Sequence, residues 1–195
     1  MDSATALDRP PGAPAERTPV LAVGTVVWLA SELMFFSGLF AAYFTLRATA
    51  EEWPPEGVEL DAVVSGIFTA LLVLSSGTVQ LAVRALGRDD RRAFRRWLGV
   101  TLVLAAAFVV NQGREWAEAG FRIDTHAYGS AFFVMTGFHS LHVVGGMLAM
   151  ILLLGRAADR RFGPGDVPAV EVVSYYWHFV DVVWVAMWAT LFLLR

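Results

Sequence analysis

The chain has 195 residues, 56% of them hydrophobic, with a mean hydropathy of +0.55 and a formal net charge of −3. It contains no cysteine, which excludes a disulfide framework, a thiolate metal site, an iron–sulfur cluster and haem attached through a C-x-x-C-H sequence. The apolar share exceeds the roughly 45–50% of a soluble domain, and the acidic balance argues against nucleic acid as a partner.

Residues 1–19, "MDSATALDRPPGAPAERTP", mix four prolines with small and charged residues. No core can form from them, so a flexible tail is expected. The stretch lacks the ordered regions of a signal peptide. Five apolar blocks follow, at about 20–46, 62–86, 97–119, 128–154 and 170–194. Each is longer than the ~20 residues that cross a bilayer core as a helix. The expected fold is therefore all-α: a five-helix membrane bundle over residues 20–195, with no soluble domain and no repeat. The third block is the least apolar. Its outer end, "NQGREWAEAG", is polar, and a span ending near Gln112 is an alternative reading.

Arginine sets the expected orientation, since positive residues in short loops stay cytoplasmic. All 15 basic residues are arginine. The tail, the 84–96 connection and the 156–161 connection together hold eleven, against four for the opposite side. This predicts a cytoplasmic N-terminus and an outside C-terminus. The arginine run at 84–96 reads first as that determinant and secondarily as a contact for anionic lipid.

Several polar residues fall deep inside the spans. At about 1.5 Å per residue, Glu32 lies roughly 18 Å into the first helix. Asn111 and Gln112 lie past the middle of the third span. His139 and His142 are mid-way along the fourth, and His178 and Asp181 mid-way along the fifth. Ser75, Ser76, Thr78 and Gln80 give the second span its own polar patch. A charge at such depth costs roughly 2.5–3.5 kcal/mol, so these groups are expected to face protein. The His139/His142 and His178/Asp181 pairs both have i, i+3 spacing, which puts each pair on one helix face. Gly38, Ala42, Gly137, Gly145, Gly146 and Ala149 would allow close helix approach. A histidine or acid in this setting more often ties helices together than does chemistry, and the tryptophans more often pack than touch a cofactor.

Four stretches carry a resemblance: "WLASELMFFSGLFAAYF", "NQGREW", "YGSAFFVMTGFHSLHVVGG" and "YYWHFVDVVW". In this order, from Trp28 to Trp184, they resemble subunit III of the haem–copper cytochrome c oxidases, in the short five-helix form of bacteria, with an actinobacterial look. The resemblance implies a subunit without a redox centre and with no catalytic or metal-ligating residue. Haem and copper would lie in partner subunits I and II. Such a subunit packs on subunit I and supports its stability and proton uptake during electron transfer to oxygen. The implied place is the bacterial plasma membrane. A cytochrome bc-type complex in a supercomplex is a further candidate partner, and phospholipid a candidate ligand. Glu32 matches the family's S-E carboxylate. Gln112, Glu115, His139, His142, His178 and Asp181 match the later polar positions, and together with Glu32 they form the expected buried polar network. Seven-helix relatives carry two more N-terminal helices and a lipid-holding cleft, so that cleft is not expected here.

Four other readings compete. Subunit III of a quinol oxidase and a nitric-oxide-reductase accessory protein are close relatives; Ser31–Glu32 favours the cytochrome c branch. A membrane metalloenzyme could use His139, His142, His178 and a carboxylate, but four histidines in the chain are few. A transporter is weakened by the absence of repeats and broken helices.

Overall fold

A computed structural model of the chain describes residues 20–159 and 161–194. The expected tail over 1–19, with Arg9 and Arg17, lies outside the described residues, as do Arg160 and Arg195. Every regular element described is helical: α1 (Val20–Thr49), α2 (Ala62–Gly87), α3 (Arg91–Glu118), α4 (Ala127–Arg156) and α5 (Val167–Trp188). A short 3₁₀ turn, Pro164–Asp166, leads into α5, and a π turn, Ala189–Leu193, follows it. Five helices are long and apolar enough to cross a membrane. In hydrocarbon the backbone must satisfy its own hydrogen bonds, which is why apolar blocks of this length become helices. The third helix runs on to Glu118, past Gln112, and begins at Arg91, before the apolar block does. Its first turn is an arginine-rich extension ahead of the apolar block.

The ends are fixed locally. The Asp61 carboxylate accepts from the N–H groups of Val63 and Val64 at 3.0 Å each, starting α2. Asp90 accepts from Ala93 N–H at 2.9 Å at the start of α3, and His126 Nδ1 from Gly129 N–H at 2.8 Å at the start of α4. Each cap satisfies a backbone donor the helix itself leaves open. Hydroxyls on α1 bond back to carbonyls four residues earlier, as Thr25 does to Leu21 and Thr45 to Ala41, both at 2.8 Å. That removes an open donor from the apolar surround.

Helices α2, α3, α4 and α5 form a closed ring of neighbours, each touching the next, and α5 closes back on α2. Helix α1 leans on the outside of this ring, against α4 and α5, and is the least covered of the five spans. Trp177, Trp184, Phe108 and Phe132 fill the core.

Close approach is real at one of the expected places. A Cβ on Gly146 would lie 2.7 Å from the Trp177 ring, so α4 and α5 meet there only because Gly146 has none. Gly145 would meet only the Tyr176 hydroxyl, at 3.6 Å. Gly38 and Gly137 need correcting: an added Cβ on either meets nothing within 4 Å, so neither serves an approach within this chain. Ala42 likewise faces outward. Gly66, which the sequence did not single out, faces the Trp188 ring at 3.2 Å.

Candidate functional site

The seven polar residues predicted within the spans fall into separate places. The first joins α1 to α4. Glu32 Oε2 lies 3.0 Å from His142 Nε2, and Trp28 Nε1 donates to Glu32 Oε1 at 3.1 Å. His142 Nδ1 lies 2.7 Å from the Phe138 carbonyl, which can only accept, so Nδ1 carries a proton. Nε2 and Oε2 then meet as one carboxyl–imidazole hydrogen bond, which satisfies both groups in a low-dielectric surround. Tyr176 frames it, stacking on Trp28 at 4.9 Å and donating to the His142 carbonyl at 3.0 Å. The pair is not sealed: the side chains of Glu32 and His142 remain 24% and 17% exposed.

The second joins α2 to α5. The Ser76 hydroxyl donates to Asp181 Oδ2 and receives from His178 Nδ1 at 2.8 Å. His178 Nε2 in turn lies 3.3 Å from Ser174 Oγ. One turn away, Trp177 Nε1 donates to Ser75 Oγ at 2.8 Å. So His178 and Asp181 do share a face, but they meet through a serine on another helix. Val73, Val182 and Val185 rim the shallow cleft above them.

The third lies towards the end of α3. Asn111 Nδ2 donates to Glu115 Oε1 at 3.1 Å, and Arg114 Nη2 donates to Asn111 Oδ1 at 3.0 Å. Gln112 and His139 join none of these groups. Both are buried, and neither has a hydrogen-bond partner among the described residues. His139 stacks on Trp184 at 4.7 Å and meets the Phe108 edge at 5.8 Å, inside the helix ring.

His139 and His142 therefore serve different surroundings despite their spacing. One points to the ring's interior and the other to α1. Three residues of the hypothetical metal site, His139, His142 and His178, stand in three different places. Among the described residues no group of three histidine, aspartate or glutamate side chains is assembled.

Sequence reasoning placed Ser75, Ser76 and Thr78 in a patch but not in the site. It missed the indole–hydroxyl bonds altogether. Trp184 Nε1 donates to Thr69 at 2.9 Å and Trp116 Nε1 to Thr136 at 3.0 Å, and the Thr78 and Thr101 hydroxyls meet at 2.7 Å. Matching depth between Ser76 and Asp181 is the one signal that could have paired those two.

These features define a class: a multi-pass helical membrane subunit whose buried polar side chains join helix to helix. The family model for cytochrome c oxidase subunit III matches residues 16–194, and the chain belongs to that family. It is 48% identical to a protein of Nocardia farcinica named probable cytochrome c oxidase subunit 3, over 92% of this chain and 90% of the relative. Identity is 42% to cytochrome c oxidase subunit 3 of Corynebacterium diphtheriae, over 92% and 90%. It is 39% to that of the cyanobacterium Thermostichus vulcanus, over 88% and 86%.

Proposed function

We propose that this chain is subunit III of an aerobic cytochrome c oxidase in a bacterial plasma membrane, a subunit that packs on subunit I and holds no redox centre itself. Haem and copper belong to subunits I and II. The role is mechanical and protective: it stabilises subunit I and sustains proton uptake while electrons pass to oxygen. The tail and the two arginine-rich turns face the cytoplasm.

The supporting observation is the Glu32–His142 pair. It sits mid-span on α1 and α4, on the least covered side of the bundle, with both side chains part-exposed. Lipid tails offer a carboxyl–imidazole pair nothing to bond, so a protein neighbour over this face lowers its cost. Around it α1 exposes Ser31, Ser37 and Gly38, small groups over which another helix can approach closely. The separation of the three histidines disfavours the metalloenzyme reading on geometry.

The test is to purify the tagged chain from its own membrane in mild detergent and identify what comes with it. A haem-bearing chain and a copper A-bearing chain in equal amounts are expected; a partner II without copper A ligands would make the complex a quinol oxidase. Gly38→Leu refines the test. Space is open there within this chain, so insertion should be normal while association with subunit I weakens. If Gly38→Leu co-purifies like wild type, α1 is not the docking face.

A further inference from the structure

The connection between α2 and α3 is three residues long, 88–90, and brings an unusual density of cations to one point. Arg84, Arg88, Arg92, Arg95 and Arg96 are all exposed there. The nearby acids are already engaged. Asp89 lies 3.7 Å from Arg91, and Asp90 caps α3. On the neighbouring α4–α5 turn, Asp159 accepts from the Arg161 N–H, and Asp166 pairs with Arg156 at 3.1 Å. Among the described residues, none of the five exposed arginines has an ion-pair partner.

Their register gives them a direction. On α3, Arg92, Arg96, Val103 and Val110 follow one another at helical spacing along one stripe. Val103 and Val110 are 69% and 73% exposed, so nothing in this chain covers that apolar stripe. On α2, Arg84 continues a stripe with Gly77, Val73 and Ala70, all exposed. Both arginine sets thus stand where an exposed apolar stripe ends. Trp97, part-exposed, lies at the same level, as interfacial tryptophans do. The start of α3 adds the positive end of its helix dipole.

We infer that the α2–α3 turn is a binding site for the phosphate of an anionic phospholipid, with Arg92 and Arg96 as its principal contacts. The acyl chains lie along Val103 and Val110, and the guanidinium forks take the phosphate oxygens. A free phosphate has the same charge but no chains to bury, so the apolar stripe below the arginines decides for lipid.

The experiment uses the intact oxidase in mild detergent, challenged with phosphatidylglycerol or phosphatidylcholine and read by native mass spectrometry. Wild type should retain phosphatidylglycerol in preference. Arg92→Gln with Arg96→Gln should lower that retention about 30-fold, at ~1 kcal/mol per arginine near the surface. Arg122→Gln, on the far side of the bundle, should leave it unchanged. Equal retention of the two lipids by wild type would overturn the site, as would a double variant that binds like wild type. Displacement by millimolar inorganic phosphate would make it a soluble-anion site, and loss of a co-purified protein would make it a protein contact; either overturns the lipid assignment. If the double variant does not assemble, salt decides on wild type. Phosphatidylglycerol retention should fall as sodium chloride is raised past about 0.1 M, where the screening length is roughly 10 Å. Retention indifferent to salt would end the proposal.

Discussion

Glu32 and His142 are 110 residues apart in the chain and 3.0 Å apart in space, joined by one hydrogen bond between α1 and α4. Such a pair can be an anchor or a proton relay, and substitution separates the two. Glu32→Gln keeps the shape and can still accept from Trp28, so an anchor role predicts normal assembly and normal turnover. Glu32→Leu leaves Trp28 Nε1 without its acceptor and His142 Nε2 without its partner, and should cost about 1–3 kcal/mol. The melting temperature of the complex reads this loss. A Gln variant that assembles fully yet pumps fewer protons per electron, or loses activity during turnover, would make the pair a proton relay instead.

Asp181 holds α5 to α2 through Ser76. Asp181→Ala removes the acceptor and leaves the Ser76 hydroxyl and His178 to share one bond. A loss of about 1–3 kcal/mol is expected, seen as easier dissociation of this chain from the oxidase. Ser76→Ala should do similar damage, and the double variant less than the sum of the two, because they break one chain of bonds. The haem spectrum should not change. A perturbed spectrum in fully assembled enzyme would place these residues closer to the redox chemistry.

Two glycines on α4 should respond in opposite ways. Gly146→Ala drives a methyl into the Trp177 ring, 2.7 Å away. Overpacking of this kind costs about 1–3 kcal/mol. Gly137→Ala meets open space and gains up to about 1 kcal/mol of helix propensity. Thermal melting of the purified complex compares them directly. Equal melting temperatures would mean that α4 and α5 do not touch at Gly146.

Orientation is testable without purification. Eleven arginines against four predict a cytoplasmic α2–α3 turn. Alkaline phosphatase fused after Leu194 should be active, and fused in the 88–90 turn inactive. The reverse pattern would invert the molecule.

The number and type of elements were legible because both are local properties. Twenty-odd apolar residues in lipid have one economical conformation, and the helix is set by the chain's own backbone bonds. The polar residues inside the spans stood out for the same reason: against leucine and valine, Glu32, His139 or Asp181 is conspicuous. Family membership was legible too, since "TGFHSLHV" and "YWHFVDVVW" are long stretches.

Which polar groups meet was settled only by the tertiary structure. His139 and His142 differ by three positions, yet one stacks on Trp184 in the ring's interior while the other bonds to Glu32. Gly146 and Gly137 look alike in sequence, and only Gly146 faces a ring. Ser76 was one hydroxyl among several until α5 placed Asp181 over it. The physical reason is the solvent. In water an apolar stripe on a polar helix declares its inner face; in lipid both faces are apolar, so periodicity gives no inside and no outside. The rotation of each helix about its axis is then chosen by side-chain fit over the whole contact, a property of helix pairs that neither sequence carries alone.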